Sequence, residues 1–556
     1  MRKTAILIIY IILFWVVLPG VLVLSAIYFD KLLGFESNPA LVAGILIMSI
    51  ALPMLVISIA QFRIFSGKYP VSADPPKVFI RTGLYAVWRH PIYLFYGLTL
   101  LGSAMIWGSR GMLLITLPAF IVLEFVYGFI EEKILVKRFG DKYLNYKKIT
   151  SIVIPRLYYW LKIPCFFLFA PLFSYKVSGK ENIPDSPPFF LVSCHRNYID
   201  PFFLAQGFPY PIRNITTFEM YRTGKTRWFF KALDCIPKKR YLNDYSTGRE
   251  IVKAIRQDAV IGIYPEGERA WTETMNRLKP ETLNLFHKFR DIPILPVKLQ
   301  GSFFAWPMWG KGVRNARVRV EFQEIIQIDP DWDLKEIEDR LVAAIEPGDQ
   351  DHPDFFCRST RRIEDISKVI YRCPICMTFD SIKTAATGGV CLNCKAVLRI
   401  DERYRLNVSN GENQVSGSLD EVYKRIRVRS EDLSGLASGS FPGQFESHSK
   451  GEEHIIAFSE QAEVSMESFP KMKFLFKGDI ILTNKRLVFE SDSDSRSLTL
   501  EDLSSVTTES NIKLQIYDFR ATKLYQVVFD RESVVKWQDL ISETIKMELG
   551  RVPNLR

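Results

Sequence analysis

The chain has 556 residues, a net charge of +11 and a hydrophobic fraction of 48%. This length is too great for a single hydrophobic core, so several domains are expected. The basic balance suits an anionic membrane surface or nucleic acid, but nucleic-acid recognition motifs are missing, so no nucleic-acid partner is expected. Four of the eight cysteines follow a metal-binding spacing, which favours a reducing compartment over a disulfide framework.

Apolar runs dominate the first part of the chain and predict a helical transmembrane domain over residues 1–155. Runs of this length can cross a bilayer of about 30 Å hydrocarbon thickness. The predicted spans are 5–29, 41–60, 92–107 and 112–130. Basic residues cluster between the second and third spans and after the fourth, so the positive-inside rule places both termini and everything after Glu131 in the cytoplasm.

Charged and aromatic residues gather at the cytoplasmic edge of the third and fourth spans. An Arg-His-Pro-x-Tyr element opens the third span, and a Glu-Glu pair follows the fourth. Polar groups at a membrane are costly without partners, so their convergence indicates a site. The residues are Arg89, His90, Tyr93, Glu131 and Glu132.

The stretch from Gly83 to Pro155 resembles the isoprenylcysteine carboxyl methyltransferase and phospholipid methyltransferase family. The resemblance implies that these five residues hold S-adenosylmethionine. Glu131 and Glu132 would bind its ribose and amino groups, and Arg89 and His90 would face its carboxylate. The alternative is a membrane anchor without activity, whose charged residues only cap the helices at the membrane surface.

Residues 156–350 alternate short apolar strands with helical segments, a pattern typical of an α/β domain. A predicted buried strand, Phe189 to Ser193, runs into a segment that contains His195 and Asp200. A turn must fold between these two residues, because their spacing does not place them on one helix face. Asp200 would cap a helix that begins with Pro201 and could reach back to orient the imidazole. Simple helix capping beside a core histidine is the alternative.

Three later segments accompany this pair. They are Ile236 to Arg240, Pro265 to Arg269 and Ile292 to Val297. In this order the segments resemble the glycerolipid acyltransferase family, whose best-known members acylate lysophosphatidic acid. The match spans about Ser178 to Pro330.

The resemblance implies general-base catalysis on a lipid hydroxyl. His195 would remove the hydroxyl proton during attack on an acyl thioester, carried by coenzyme A or acyl carrier protein, and Asp200 would fix the tautomer. The residues that would bind phosphate, shape its pocket or lie on the donor side are Arg240, Glu266, Gly267, Arg269 and Pro296. Cys194 and Glu268 depart from the usual family residues and leave the acceptor headgroup open.

Two C-x-x-C pairs follow within residues 370–400, and their cysteines are Cys373, Cys376, Cys391 and Cys394. Two such pairs can present four thiolates to one tetrahedral Zn²⁺, and the segment resembles a zinc ribbon. A closed thiolate shell leaves no open position, so a structural role is expected. Disulfides are the alternative, disfavoured by a cytoplasmic location.

Residues 401–451 are predicted to be a linker with a small element, and Ser430 to Gly451 is rich in Ser and Gly. Residues 452–556 show short strands followed by an amphipathic helix, and they resemble the pleckstrin-homology and GRAM superfamily. Anionic lipid or a protein is the expected partner. Lys477, Lys485 and Arg486 would meet the lipid, unless they form only a solvated basic face.

The sequence therefore predicts a multidomain protein: a helical transmembrane bundle, an α/β acyltransferase domain, a zinc ribbon and a β-rich pleckstrin-homology-like domain with a C-terminal helix. The predicted function is membrane-bound O-acyl transfer to a lysophospholipid or related glycerolipid. One alternative is methyl transfer to a lipid or prenyl-cysteine substrate, as main or second activity. Another is a non-enzymatic membrane scaffold.

Overall fold

The structure is a computed structural model that describes residues 12–68, 70, 80, 83–154, 158–160, 162, 172–239, 245–349, 352–437, 452–469, 471–492, 494–530 and 532–553. By its internal contacts the chain divides into two compact units. The membrane unit is Met1–Pro164 with Phe208–Pro211, and the main unit is Cys165–Gly207 with Ile212–Arg556.

The membrane unit is helical. Its helices are α1 (Leu18–Leu33), α2 (Leu41–Ser66), α3 (Pro91–Trp107), α4 (Leu117–Phe139) and α5 (Asp141–Ile149). Over the described residues, three helical segments are long and apolar enough to cross a membrane, judged by length and composition: Trp15–Leu33, Leu41–Ser66 and Met112–Phe139.

The helix bounds add two details to the predicted spans. Helix α3, at the predicted span 92–107, is an apolar helix of 17 residues and is shorter than the three segments above. Helix α2 continues past residue 60 to Ser66, and α4 continues past residue 130 to Phe139 through a segment that carries five charged residues.

The main unit begins with an α/β domain. Its strands are β1 (Phe173–Ser178), β2 (Phe189–Ser193), β3 (Ile212–Thr217), β4 (Ile236–Lys238), β5 (Val260–Ile263), β6 (Ile294–Gln300) and β7 (Ala316–Phe322). Its helices are α6 (Asp200–Gly207), α7 (Gly224–Ala232), α8 (Tyr245–Arg256), α9 (Pro280–Lys288), α10 (Ser302–Ala305) and α11 (Leu334–Ile345).

These strands form one sheet in the order β1-β7-β6-β2-β5-β3-β4. Every residue of β2 is buried, as expected for a strand covered on both faces. Strands β2, β5, β3 and β4 are parallel neighbours, so their carboxyl ends lie along one edge of the sheet. Residues that follow these four strands therefore meet at that edge.

A second, five-stranded antiparallel sheet follows the α/β domain. It contains β8 (Ile382–Ala385), β9 (Gly388–Cys391), β10 (Val397–Ile400), β11 (Leu406–Ser409) and β12 (Gln414–Gly417), and is followed by α12 (Leu419–Ile426) and α13 (Ser430–Ala437). The predicted linker region thus supplies two strands and two helices. Helix α13 forms because Leu433 is buried in the C-terminal core and Ser430 Oγ donates to Glu543, 2.8 Å away. Residues 438–451 lie outside the described part of the chain.

The C-terminal part is a seven-stranded antiparallel sheet closed by a helix. Its elements are β13 (Ile455–Ser468), β14 (Lys471–Thr483), β15 (Arg486–Glu490), β16 (Ser495–Thr499), β17 (Leu503–Ser510), β18 (Lys513–Asp518), β19 (Lys523–Val528) and α14 (Val534–Leu549). Trp537 of α14 is fully buried in this core, stacked on Phe529 at 5.5 Å between ring centroids. Burial of one large aromatic side chain from the helix fixes α14 against the sheet.

Candidate active sites

His195 and Asp200 meet at the carboxyl end of β2. His195 Nδ1 lies 2.9 Å from Asp200 Oδ2, and the same oxygen accepts the backbone N–H groups of Arg196 and Asn197 at 2.6 and 2.9 Å. The turn between the two residues is therefore built around one carboxylate oxygen. Asp200 is fully buried, while the His195 side chain is 19% exposed. With Nδ1 facing a carboxylate, acid–base chemistry falls to Nε2.

Glu266 fixes the backbone of His195 from inside the domain. Its two carboxylate oxygens accept the backbone N–H groups of His195 and Asn276, both at 2.7 Å. Burial raises the pKa of Glu266 to about 8, against the lowering effect of these two N–H groups. The Tyr264 ring stacks on the imidazole with 4.3 Å between ring centroids. Glu266 and Tyr264 thus hold the histidine in one orientation.

Arg269 lies in the loop after β5, next to the histidine. The backbone N–H of Ala270 donates to the carbonyl oxygen of His195 at 3.0 Å. The Arg269 guanidinium lies over the Tyr198 ring, 3.7 Å from its centroid, and Nη2 donates to the carbonyl oxygen of Glu509 at 2.8 Å. A residue of the C-terminal sheet therefore helps to orient this arginine.

The other predicted pocket residues occupy separate positions. Gly267 has a φ of +70°, which favours glycine in the turn after Glu266. Pro296 is buried in β6, opposite Val192 of β2. Arg240 lies outside the described residues. Glu268, which departs from the usual family residue, has its carboxylate 3.4 Å from Lys279 Nζ. Its negative charge is therefore paired with a lysine.

Buried groups behind the site were not identified from the sequence. Arg196 Nη1 lies 3.0 Å from Asp349 Oδ1, and Asp349 Oδ2 accepts the backbone N–H of Gly301 at 2.6 Å. Both charged side chains are almost fully buried. Cys194 is also buried, and burial raises the pKa of its thiol, which disfavours a thiolate nucleophile.

The five predicted cofactor residues converge in the membrane unit. The Tyr93 hydroxyl donates to Glu131 at 2.7 Å, and the His90 ring lies 3.5 Å from Glu131 and 3.6 Å from Glu132. Arg89 Nη1 lies 3.3 Å from Glu132. Lys147 Nζ lies 2.6 Å from Glu132, a contact that the sequence did not predict, since Lys147 is one of several basic residues that follow the fourth predicted span.

Two observations test whether this cluster suits a polar cofactor. Arg89 Nε is buried and makes no hydrogen bond to any described residue, and the buried His90 Nε2 and Glu132 Oε1 face each other at 3.6 Å, beyond hydrogen-bond distance. Three residues of the cluster, His90, Tyr93 and Glu132, line a cavity of about 540 Å³ whose other walls are apolar except for Glu124. Buried polar groups at one end of an apolar cavity fit a ligand with a charged end and an apolar neighbour.

The four cysteines of the two C-x-x-C pairs come together in the main unit. Their sulfur atoms all lie within 4.8 Å of one another. Cys373 and Cys394, and likewise Cys376 and Cys391, are 3.7 Å apart. Tetrahedral coordination with Zn–S bonds of about 2.3 Å places sulfurs about 3.8 Å apart, so the arrangement suits one zinc ion.

Comparison with known proteins identifies two domains. A family model described as Acyltransferase matches residues 174–300, and one described as Phospholipid methyltransferase matches residues 39–142. The chain contains an acyltransferase domain and a phospholipid methyltransferase domain. Both family resemblances predicted from the sequence are confirmed. Together with three long apolar helices, the phospholipid methyltransferase domain indicates an integral membrane protein.

Individual relatives match parts of the chain. A 1-acyl-sn-glycerol-3-phosphate acyltransferase of Bacillus subtilis (strain 168) is 25% identical over 138 residues, 25% of this chain and 68% of that protein. The crystal structure of the LPA acyltransferase PlsC from Thermotoga maritima is 20% identical, covers 40% of this chain and 86% of its own, and has a TM-score of 0.31. The linker-DH/PH domains of p115-RhoGEF are 16% identical over 23% of this chain and 43% of theirs, with a TM-score of 0.14. TM-scores this low establish no shared architecture.

The acyltransferase domain is joined to the C-terminal part of the chain by polar contacts of the residues that follow Arg269. Trp271 Nε1 donates to Thr508 Oγ1 at 3.1 Å, and Thr272 Oγ1 donates to Asp420 Oδ1 at 3.1 Å. The Trp271 side chain also packs against the C-terminal core. The loop of the acyltransferase domain that carries Arg269 therefore packs against β17 of the C-terminal sheet.

Proposed function

We propose that the chain is a membrane-bound O-acyltransferase, which moves a fatty acyl group from an acyl thioester to the free hydroxyl of a lysophospholipid or related glycerolipid. The observation that carries this proposal is the 2.9 Å contact between His195 Nδ1 and the buried Asp200 Oδ2, in a histidine that stays partly exposed. The name of the Bacillus subtilis relative supports 1-acylglycerol-3-phosphate as the acceptor.

The proposed reaction uses His195 twice. Nε2 takes the proton of the acceptor hydroxyl while the hydroxyl oxygen attacks the thioester carbonyl, and Asp200 stabilises the imidazolium that forms. The C–S bond then breaks, and the imidazolium returns its proton to the leaving thiolate. The products are an ester and a free thiol, so no covalent acyl-enzyme is required.

Arg269 is the proposed ligand of the acceptor's phosphate, since a planar guanidinium matches phosphate oxygens. Its position beside Tyr198 and the contact of Ala270 with His195 support this role. Glu266 and Gly267 would hold the loop, Pro296 would line the donor side, and Arg240 would be a second phosphate ligand.

Acyl transfer can be tested with the purified full-length protein and radiolabelled acyl thioesters. Acyl-CoA and acyl carrier protein are offered as donors, with lysophosphatidic acid and neutral lysolipids as acceptors. His195→Ala should abolish product formation, because no other base is positioned by Asp200. His287→Ala, a change of a half-buried histidine on α9, is the matched control and should keep activity.

The outcomes separate the candidate functions. Acylation by His195→Ala at the normal rate would overturn the proposed mechanism. Absence of turnover with every donor and acceptor in the unaltered protein would favour the membrane scaffold.

We propose methyl transfer as a second activity of the polar cluster formed by Arg89, His90, Tyr93, Glu131 and Glu132, because His90, Tyr93 and Glu132 line a mostly apolar cavity. These residues would hold S-adenosylmethionine, which supplies the methyl group. The apolar walls would take the chain of a lipid acceptor. Incubation with radiolabelled S-adenosylmethionine and membrane lipids should yield a methylated lipid, and Glu132→Gln should remove it while acyl transfer persists. Methylation that survives Glu132→Gln would reject this site.

Two further assignments belong to the same proposal. The four clustered cysteines would hold a structural zinc ion in a zinc ribbon, and the C-terminal sheet with α14 would be a pleckstrin-homology-like domain. The positive-inside pattern of the sequence supports a cytoplasmic location of the main unit, which is part of this proposal. Protease protection in sealed, oriented membrane vesicles tests that orientation.

A further inference from the structure

One face of helix α7 in the main unit carries two lysines and a tryptophan. Lys225, Trp228 and Lys231 follow one another at intervals of three, which places them side by side on the helix. All three are exposed, and the Trp228 side chain is 62% exposed. Exposed tryptophan flanked by lysine is the composition of helices that lie in a membrane interface.

The turn between β13 and β14 adds a second group of the same character. Phe469, at the turn, is 63% exposed, and Lys471 and Lys473 on β14 are also exposed. The six residues of this basic–aromatic surface are Lys225, Trp228, Lys231, Phe469, Lys471 and Lys473. Both parts lie in the main unit, and they come from segments more than 200 residues apart in the sequence.

Specific contacts hold the two parts together. Phe218, in the short 3₁₀ turn before α7, stacks on Phe469 with 5.4 Å between ring centroids. Arg222, just after that turn, lies 2.7 Å from Glu467 of β13. Lys239 lies over the Phe469 ring, 4.5 Å from its centroid. The aromatic turn is thus fixed beside α7.

The charge of this surface is not neutralised within the described residues. No ion pair in that part of the chain involves Lys225, Lys231, Lys471 or Lys473. By contrast, the basic residues expected from the sequence to meet lipid are paired: Lys477 with Asp530, Lys485 with Glu452 and Arg486 with Glu453. The acidic Glu219 and Glu467 beside the surface both bind Arg222.

The surface lies at the same sheet edge as the catalytic histidine. Phe218 follows the carboxyl end of β3 and Lys239 that of β4, while His195 follows β2 and Glu266 follows β5. These four strands are parallel neighbours, so at about 4.8 Å per strand the end of β4 lies roughly 14 Å from that of β2.

We propose that the basic–aromatic surface binds an anionic lipid bilayer, as a membrane contact of the main unit in addition to the membrane-spanning helices. The aromatic rings enter the interface, and the lysines face anionic headgroups, each strengthening attachment about fivefold. Attachment there turns the sheet edge that carries His195 toward the bilayer, where a lysophospholipid resides.

Quenching of tryptophan fluorescence by brominated lipid tests this in the full-length protein in nanodiscs. The contribution of Trp228 is the difference between the unaltered protein and Trp228→Phe. We expect strong quenching of this contribution in an equimolar mixture of brominated phosphatidylcholine and phosphatidylglycerol. In brominated phosphatidylcholine alone the quenching should be weak.

A charge variant provides the second arm. Replacing Lys225, Lys231, Lys471 and Lys473 by Gln should reduce Trp228 quenching in the anionic discs to its level in phosphatidylcholine. A matched control with the same charge change replaces the exposed Lys253, Lys288, Lys335 and Lys523 by Gln and should leave quenching unchanged. An unquenched Trp228 in anionic discs, or equal quenching in the two four-lysine variants, would overturn the proposal, as would protection of Trp228 only by a bound protein.

Discussion

Asp200→Asn separates the charge of the carboxylate that we propose to be catalytic from its structural role. Asp200 Oδ2 accepts three hydrogen bonds, from His195 Nδ1 and from the backbone N–H groups of Arg196 and Asn197. The amide oxygen of Asn can accept the same three, so the turn before α6 should be retained. Oδ1 makes no hydrogen bond to a described residue, so the new amide NH₂ would be a buried donor without an acceptor. That cost is about 1–3 kcal/mol of unfolding free energy.

Asp200→Asn should raise the activation free energy of acyl transfer by more than it lowers the free energy of unfolding. Two unit charges about 4 Å apart attract by about 4 kcal/mol at an effective dielectric constant of about 20. Asn removes this stabilisation of the imidazolium in the transition state. Since about 1.4 kcal/mol corresponds to a tenfold change in rate, kcat should fall about 10³-fold.

Steady-state acylation by the purified full-length protein measures kcat, and thermal unfolding checks that the variant is folded. Asp331→Asn makes the same chemical change at an exposed position and should keep the normal kcat. A kcat within about tenfold of normal in folded Asp200→Asn would refute the assignment of His195 and Asp200 as a catalytic pair.

Three further predictions concern the rest of the main unit. Burial raises the pKa of Glu266 from 4.5 to about 8, so protonated Glu266 should contribute fully to the free energy of unfolding below pH 4.5, and this contribution should be lost as the pH rises through 8. The thermal unfolding temperature should therefore decline across this pH range, and Glu266→Gln should remove the decline. An identical decline in Glu266→Gln would contradict the assignment to Glu266. Thr508→Val removes the hydroxyl that accepts the hydrogen bond of Trp271 Nε1, and it should lower the free energy of unfolding by about 1 kcal/mol. Because the loop that carries Arg269 would be less well positioned, KM for the lysolipid substrate should rise more than kcat falls. An unchanged KM would contradict a role of the C-terminal sheet in positioning this loop. Cys391→Ser should lower the zinc content measured by elemental analysis, whereas Cys235→Ser should not, and equal zinc in both would reject the site.

The sequence was informative where a site is formed by neighbouring residues. His195 and Asp200 are close in the chain, so one strand end and one helix start suffice to place them together. The two C-x-x-C pairs and the apolar runs are local patterns of the same kind. The prediction of a linker from Ser430 onward was based on composition. Composition cannot show that Leu433 is buried in a core formed mostly by later residues, so helix α13 was not predicted.

What the sequence determined by itself is the acyltransferase domain, the phospholipid methyltransferase domain and the close placement of residues that are near in the chain, because turn geometry, helix periodicity and ligand spacing act over a few residues. The tertiary structure alone decided how charges are paired across long separations. It placed Lys147 on Glu132, Asp349 behind Arg196, and the carbonyl of Glu509 on Arg269. It also paired Lys477, Lys485 and Arg486 with acidic neighbours, while Lys225, Lys231, Lys471 and Lys473 form no ion pair with a described residue. Such contacts depend on which surfaces the packed sheets bring together, and no local pattern in the chain encodes that.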